Sequence, residues 1–184
     1  MKNKIIKVKD AEEISKILKK DNKSVVITGG CFDILHVGHI KLLSESKKQG
    51  DFLFILLEND NNVEKLKGNG RPINNQAERA QVLAALECVD YVVLLPEMKK
   101  NKDYDNLIYK LKPDVITTTK GDPQGIHNER QAKKINAKVV YVINFIKNKS
   151  TTRIANIISE KFNIKRKKLQ EKDSRKSAKK REMK

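Results

Sequence analysis

Short apolar runs alternate with segments of helical spacing along most of the chain. Val25 to Thr28 is β-branched and apolar, and gives way at Gly29 and Gly30 to a tight turn. Four more runs of strand length follow: Phe52 to Leu57 (FLFILL), Tyr91 to Leu95, Asp114 to Thr118 and Lys138 to Ile143. The unbroken apolarity of FLFILL marks a strand covered on both faces. Helical spacing predicts Ala11 to Lys20, opened by Asp10 and Glu13 at capping-box distance, and His39 to Lys48, closed by Gly50 as a C-cap. It further predicts Gln76 to Leu86, a helix around Asp105 to Leu111, Glu129 to Ile135, and Thr152 to Phe162 with Ile154, Ile157 and Ile158 on one side. Residues 58–75 read as one long polar loop. Strands alternating with helices predict an α/β protein with a Rossmann-like, open, five-stranded parallel sheet and helices on both faces. Ligands of such sheets lie beyond the carboxyl ends of the strands.

Composition adds a tail to this picture. The 184 residues suit one domain, and the formal charge is +17. Residues 164–184 hold 11 Lys or Arg against three Asp or Glu, and only four apolar side chains, so they read as a basic tail after a domain spanning 1–163. Such a tail is either a solvated terminus or a weak electrostatic arm for RNA or another polyanion. Cys31 and Cys88 make no disulfide framework. MKNKIIKVKDAEE has no apolar core of signal-peptide length, and no stretch matches a membrane span, so a soluble, cytoplasmic protein is expected.

The chemistry concentrates in VVITGGCFDILHVGHIK, residues 25–41. A buried strand emptying through a glycine turn into a helix N-terminus is a common phosphate-binding arrangement, because free backbone N–H groups and the helix dipole converge there. The lysine-containing phosphate loop is absent, and Gly29, Gly30 and Gly38 do not give the dinucleotide spacing. His36 and His39 lack the further donors that a zinc centre needs, so no metal ligand set is expected.

GCFDILHVGHIKLL, with its H-x-G-H, resembles the signature of the nucleotidyltransferase superfamily of cytidylyl- and adenylyltransferases, and KSTTRI (149–154) resembles its second signature. KGNGRPINNQAERAQVLAALECVDYVV (67–93) resembles the bacterial heptose 1-phosphate adenylyltransferase domain, and the likeness runs from about Asp10 to Phe162. The resemblance implies transfer of AMP or CMP from ATP or CTP to a small phosphorylated metabolite, with release of pyrophosphate, Mg²⁺ accompanying the nucleotide, and a homodimer. A sugar phosphate such as heptose 1-phosphate is the first acceptor expected; glycerol 3-phosphate and flavin mononucleotide follow. The rival from another class is a non-catalytic nucleotide-fold protein that binds RNA through its basic tail.

The same resemblance assigns residues. His36, His39 and Lys41 are the catalytic candidates, although Lys41 reads equally as an exposed helix lysine. Gly30, Cys31 and Phe32 would approach and wall the nucleotide; Lys120 and Asp122 would close over it. Ser150, Thr151 and Thr152 would meet the β- and γ-phosphates, though plain N-caps look the same. Asp60 and Arg71 are candidates for the acceptor or a phosphate, and Arg79 reads as an anchor for its loop. Departures are informative too. Glu58-Asn59-Asp60 stands where heptose-type relatives more often carry asparagine-serine-aspartate, and NFIKNK before the serine-threonine turn speaks against CTP.

Overall fold

A computed structural model describes residues 3–144, 146 and 151–161. The chain divides into two compact units, Met1–Lys147 and Asn148–Lys184. In the first, β1 (Ile5–Lys7), α1 (Val8–Lys20), β2 (Val25–Gly30), α2 (Val37–Lys47), β3 (Phe52–Leu57), α3 (Asp60–Lys67) and α4 (Gln76–Ala84) are followed by β4 (Tyr91–Leu94), α5 (Asn101–Leu111), β5 (Val115–Lys120), α6 (Gly125–Ile135) and β6 (Lys138–Asn144). In the second unit, 151–161 is helical. The predicted basic tail and Ser150 lie outside the described residues.

All strand pairs are parallel, in the order β1-β4-β3-β2-β5-β6. The sheet therefore has six strands rather than the five expected. The missed strand, β1, has only three residues flanked by lysines, too short for a periodic signal, and it pairs with Val92–Leu94 at the sheet edge. The chain moves outward from β2 through β3 and β4, then returns to lay β5 on the other side of β2. Loops leaving β2 and β5 thus diverge at their carboxyl ends, which opens a crevice there.

Alternate residues of the central strands feed two apolar layers. Val25, Ile27, Phe54, Leu56 and Val93 pack under α1, α5 and α6 with Leu107, Ile108 and Leu111. Val26, Leu53, Ile55, Leu57 and Val92 pack with Leu43 of α2 and Ala80 and Leu83 of α4. Phe54, Leu53, Ile55 and Leu57 are fully buried, each contributing about 1.5–3 kcal/mol of apolar burial. Two buried hydroxyls tie helices to this framework. Ser15 Oγ donates to Leu111 O (2.7 Å), joining α1 to α5, and Thr117 Oγ1 lies 2.7 Å from Ser46 Oγ, joining β5 to the last turn of α2.

Three local expectations change. Helix α1 begins at Val8, with Asp10 inside its first turn, where its carboxylate accepts from Lys7 N–H (3.2 Å) instead of serving as the N-cap. Gly50 does not cap α2, which ends at Lys47; a Cβ there would lie 2.7 Å from Val26 Cγ2, so glycine is required for close approach to β2. The polar loop expected over 58–75 contains α3, whose start is set by Asn59 Oδ1 accepting from Asn62 N–H (2.9 Å). Val63 is its one fully buried apolar residue, which is why the helix is invisible as a stripe. Among the described residues no helix is long and apolar enough to cross a membrane.

Candidate active site

The turn after β2 is built around a phenylalanine. Phe32 has a positive φ of 45° and is 3% exposed. Its ring covers Gly30 so closely that a Cβ there would sit 3.0 Å from Phe32 Cε2. On its other side the ring supports His39, with centroids 5.1 Å apart. His39 in turn stacks on His36 at 3.9 Å and 21°. Phe32 therefore backs the histidine pair from within the core.

His36 is the N-cap of α2: its Nδ1 accepts from Gly38 N–H (3.1 Å). In the neutral ring that acceptance leaves the proton on Nε2, so His36 has a donor to offer outward. Burial lowers the pKa of His36. It lowers His39 further, to about 4, reinforced by the charges of His36 and Lys67 and opposed by the Ile34 carbonyl. Both rings are neutral at pH 7, beside a helix N-terminus that carries partial positive charge. The site is thus prepared for an anion without carrying imidazolium charge. Cys31, half-buried in the same turn, has its thiol pushed up by burial against the lowering pull of Lys67, which leaves no activated thiolate.

Two arginines organise the surrounding loops. Arg79 is 1% exposed and donates to Cys31 O (2.5 Å), Glu58 O (2.8 Å), Asn74 O (3.0 Å) and Asp60 Oδ1 (2.7 Å). One guanidinium thereby fixes the ends of β2 and β3, the start of α3 and the segment before α4, the anchoring role expected for it. Arg71 pairs with Asp33, whose side chain is 1% exposed, through Nε (2.6 Å) and NH2 (2.5 Å). Asp33 Oδ1 also accepts from Ile73 and Asn74 N–H (2.8 and 3.2 Å). The carboxylate next to the histidine turn therefore holds the 71–74 loop over it.

The remaining candidates lie on other elements. Asp60 is held at one oxygen by Arg79 and is 43% exposed on its side chain. Lys41 is exposed on α2, and Lys120 is exposed at the end of β5. Asp122 accepts from Thr118 Oγ1 at Oδ2 (3.0 Å) and from Gln124 N–H at Oδ1 (2.9 Å), which orients its carboxylate in the turn into α6. Thr151 and Thr152 lie in the helical stretch 151–161 of the second unit. Sequence reasoning overlooked three features here. Asp33 sits inside the H-x-G-H signature and was legible as a carboxylate facing a loop arginine. Lys67, exposed at the end of α3, acts on both His39 and Cys31, but α3 itself was not anticipated. Glu58, Asn62 and Tyr104 form a hydrogen-bonded set that joins residues 46 positions apart, for which no local pattern exists. Among the described residues no three His, Cys, Asp or Glu side chains converge as a metal cage.

Residues 27–162 match the cytidylyltransferase-like family model. The chain belongs to this family. The bifunctional protein HldE of a Nitratiruptor species is 47% identical over 150 residues, covering 80% of this chain and 31% of that protein. HldE of Campylobacter concisus is 45% identical over 159 residues, covering 85% and 32%. The chain thus spans about a third of the length of these relatives. A lipopolysaccharide core biosynthesis protein from Thermoplasma volcanium superposes with a TM-score of 0.53 at 29% identity, covering 69% of this chain and 99% of that one. A pantoate-beta-alanine ligase from Francisella tularensis, at 19% identity and TM-score 0.53 over 78% of this chain and 67% of that one, shares the fold. Family membership agrees with the resemblance carried by the H-x-G-H and serine-threonine signatures.

Proposed function

We propose that the chain is a nucleotidyltransferase that moves AMP, in preference to CMP, from a nucleoside triphosphate to the phosphate of a sugar phosphate such as heptose 1-phosphate, releasing pyrophosphate. The acceptor is already an anion, so no covalent enzyme intermediate is required. An acceptor phosphate oxygen bonds to the α-phosphorus as the bond from that phosphorus to the bridging β-phosphate oxygen breaks, and the electron pair leaves with pyrophosphate. The protein's contribution is alignment and neutralisation of the charge that grows on the transferring and departing oxygens.

His36 supplies its Nε2–H, and His39, stacked on it, supplies a second imidazole directed by the same turn. Gly30 allows the backbone close approach, while Lys41 and Lys67 are the groups available to the β- and γ-phosphates. Arg71, oriented by Asp33, is the acceptor-phosphate ligand. Mg²⁺ bound to the triphosphate would neutralise the departing pyrophosphate, with the outer oxygen of Asp60 as the carboxylate fitted to meet it. The family's homodimer and weak polyanion binding by 164–184 belong to the same reading, as does a cytoplasmic location. The tail's charge supports its part, and deletion of 164–184 separates RNA binding from turnover.

The observation that carries the proposal is the stacked histidine pair, with the His36 proton directed outward by the Gly38 amide. Pyrophosphate release from ATP and CTP, measured against sugar phosphates, glycerol 3-phosphate and flavin mononucleotide, tests it. His36→Ala and His39→Ala should each lower kcat about 10²–10³-fold, the usual loss for one transition-state donor. Full activity in both variants overturns the mechanism.

A further inference from the structure

Glu58, Asn62 and Tyr104 make a polar set that phosphoryl chemistry at the histidines does not use. Glu58 directly follows β3; its N–H donates to Gly30 O (3.2 Å), and its charge reaches the Cys31 thiol. The set therefore stands at the carboxyl edge of the sheet, beside the turn that leads to His36. Its donors all point inward. The single Tyr104 O–H lies 2.9 and 3.0 Å from the two Glu58 carboxylate oxygens. The Asn62 amide donates to Glu58 Oε2 (3.1 Å) and to Tyr104 Oη (3.0 Å).

What remains are acceptors. A carboxylate has about four lone-pair sites, and the neighbouring side chains leave some of them open. Asn62, only 4% exposed, keeps its Oδ1 buried without a hydrogen-bond partner. Unpaired buried acceptors are uncommon because desolvation penalises them, so this one points to a donor that arrives with a ligand. Phosphate cannot serve, since it brings acceptors and negative charge to a carboxylate. Hydroxyl groups can. Glu58 is 9% exposed and Tyr104 is half-buried, so the set is lined but not sealed. Burial also pushes the Glu58 carboxyl up, against hydrogen bonds from Tyr104 and Asn62 and the charge of Arg79.

We infer that Glu58 and Asn62, braced by Tyr104, form the acceptor-specificity site, taking two neighbouring hydroxyls of a polyhydroxylated phosphate whose phosphate group goes to Arg71. This rests on the nucleotidyl-transfer reading and adds which end of the acceptor is read and by what. Glu58 also falls where the sequence departs from the heptose-type pattern, so the preferred sugar need not be a heptose.

Calorimetric titration of the full chain with heptose 1-phosphate, mannose 1-phosphate, glucose 1-phosphate and inorganic phosphate tests the inference. At least one sugar phosphate should bind tenfold or more tighter than inorganic phosphate. Glu58→Gln should remove most of that advantage, about tenfold or more for a lost charged hydrogen bond, while leaving inorganic phosphate and ATP affinities unchanged. Tyr104→Phe, which keeps the ring's packing, should do so in part. Sugar phosphates binding no tighter than inorganic phosphate, or Glu58→Gln weakening both equally, overturns the inference. Pyrophosphate release assayed in parallel separates the two claims. Turnover with an unaltered Glu58→Gln binding profile overturns the specificity site alone, whereas hydroxyl-dependent binding without pyrophosphate release overturns the transfer reaction alone.

Discussion

Replacing Arg79 with alanine should destabilise the protein by about 3–5 kcal/mol. The guanidinium is buried and satisfies the carbonyls of Cys31, Glu58 and Asn74, which belong to three separate segments. Each carbonyl left unpaired costs about 1 kcal/mol or more, the low end applying where water can enter. The Asp60 pair adds little, because that carboxylate is 43% exposed and screened. Loss of the buried side-chain volume supplies the remainder. Arg79→Lys keeps the charge but cannot reproduce the fork, so it should lose about half as much. Urea denaturation at pH 7 measures both. The alanine variant should also melt about 6–20 °C lower, at about 2–4 °C per kcal/mol for a chain of this size. A change under about 1 kcal/mol for Arg79→Ala would mean that the three segments are held by something other than this guanidinium.

Asp33→Asn should free Arg71 and raise the acceptor KM about tenfold or more, with the ATP KM nearly unchanged; steady-state kinetics with each substrate varied in turn checks the split. The depressed pKa of His39 gives a stability trend of definite sign. Between its folded value near 4 and the usual 6.5 the unfolded chain binds more protons, so this histidine's contribution is complete above about pH 6.5 and declines as pH falls toward 4, by up to about 3 kcal/mol. Comparing denaturation of the wild type and His39→Gln across that range should show a flatter curve for the variant; parallel curves refute the assignment. Gly30→Ala drives a methyl against the Phe32 ring and should cost about 1–2 kcal/mol while weakening nucleotide binding, read by urea titration and calorimetry.

What the sequence disclosed follows from the range of the forces involved. The central strands were legible because FLFILL and its partners are buried on both faces, and the histidine turn because its residues lie within one signature. Strand β1 escaped because Ile5 and Ile6 gain their meaning only from pairing with β4. Helix α3 escaped because its stability rests on the Asn59 cap more than on an apolar face. Arg79 was recognised as an anchor, yet which carbonyls it collects depends on three loops meeting. The Glu58 set is the least legible, since Tyr104 reaches it only after α5 has docked across the sheet.

The hydrogen bond between Thr117 and Ser46 gives α2 the mechanics of a lever. Its C-terminal turn is pinned to β5 at Ser46, whereas His39 and His36 lie 7 and 10 residues back along the helix, about 10–15 Å away at 1.5 Å per residue. A tilt of about 5° at the pin moves the imidazoles by about 1 Å, and displacements of that size can cost about a hundredfold in rate. A buried hydroxyl therefore sets the tolerance of the proposed reaction centre.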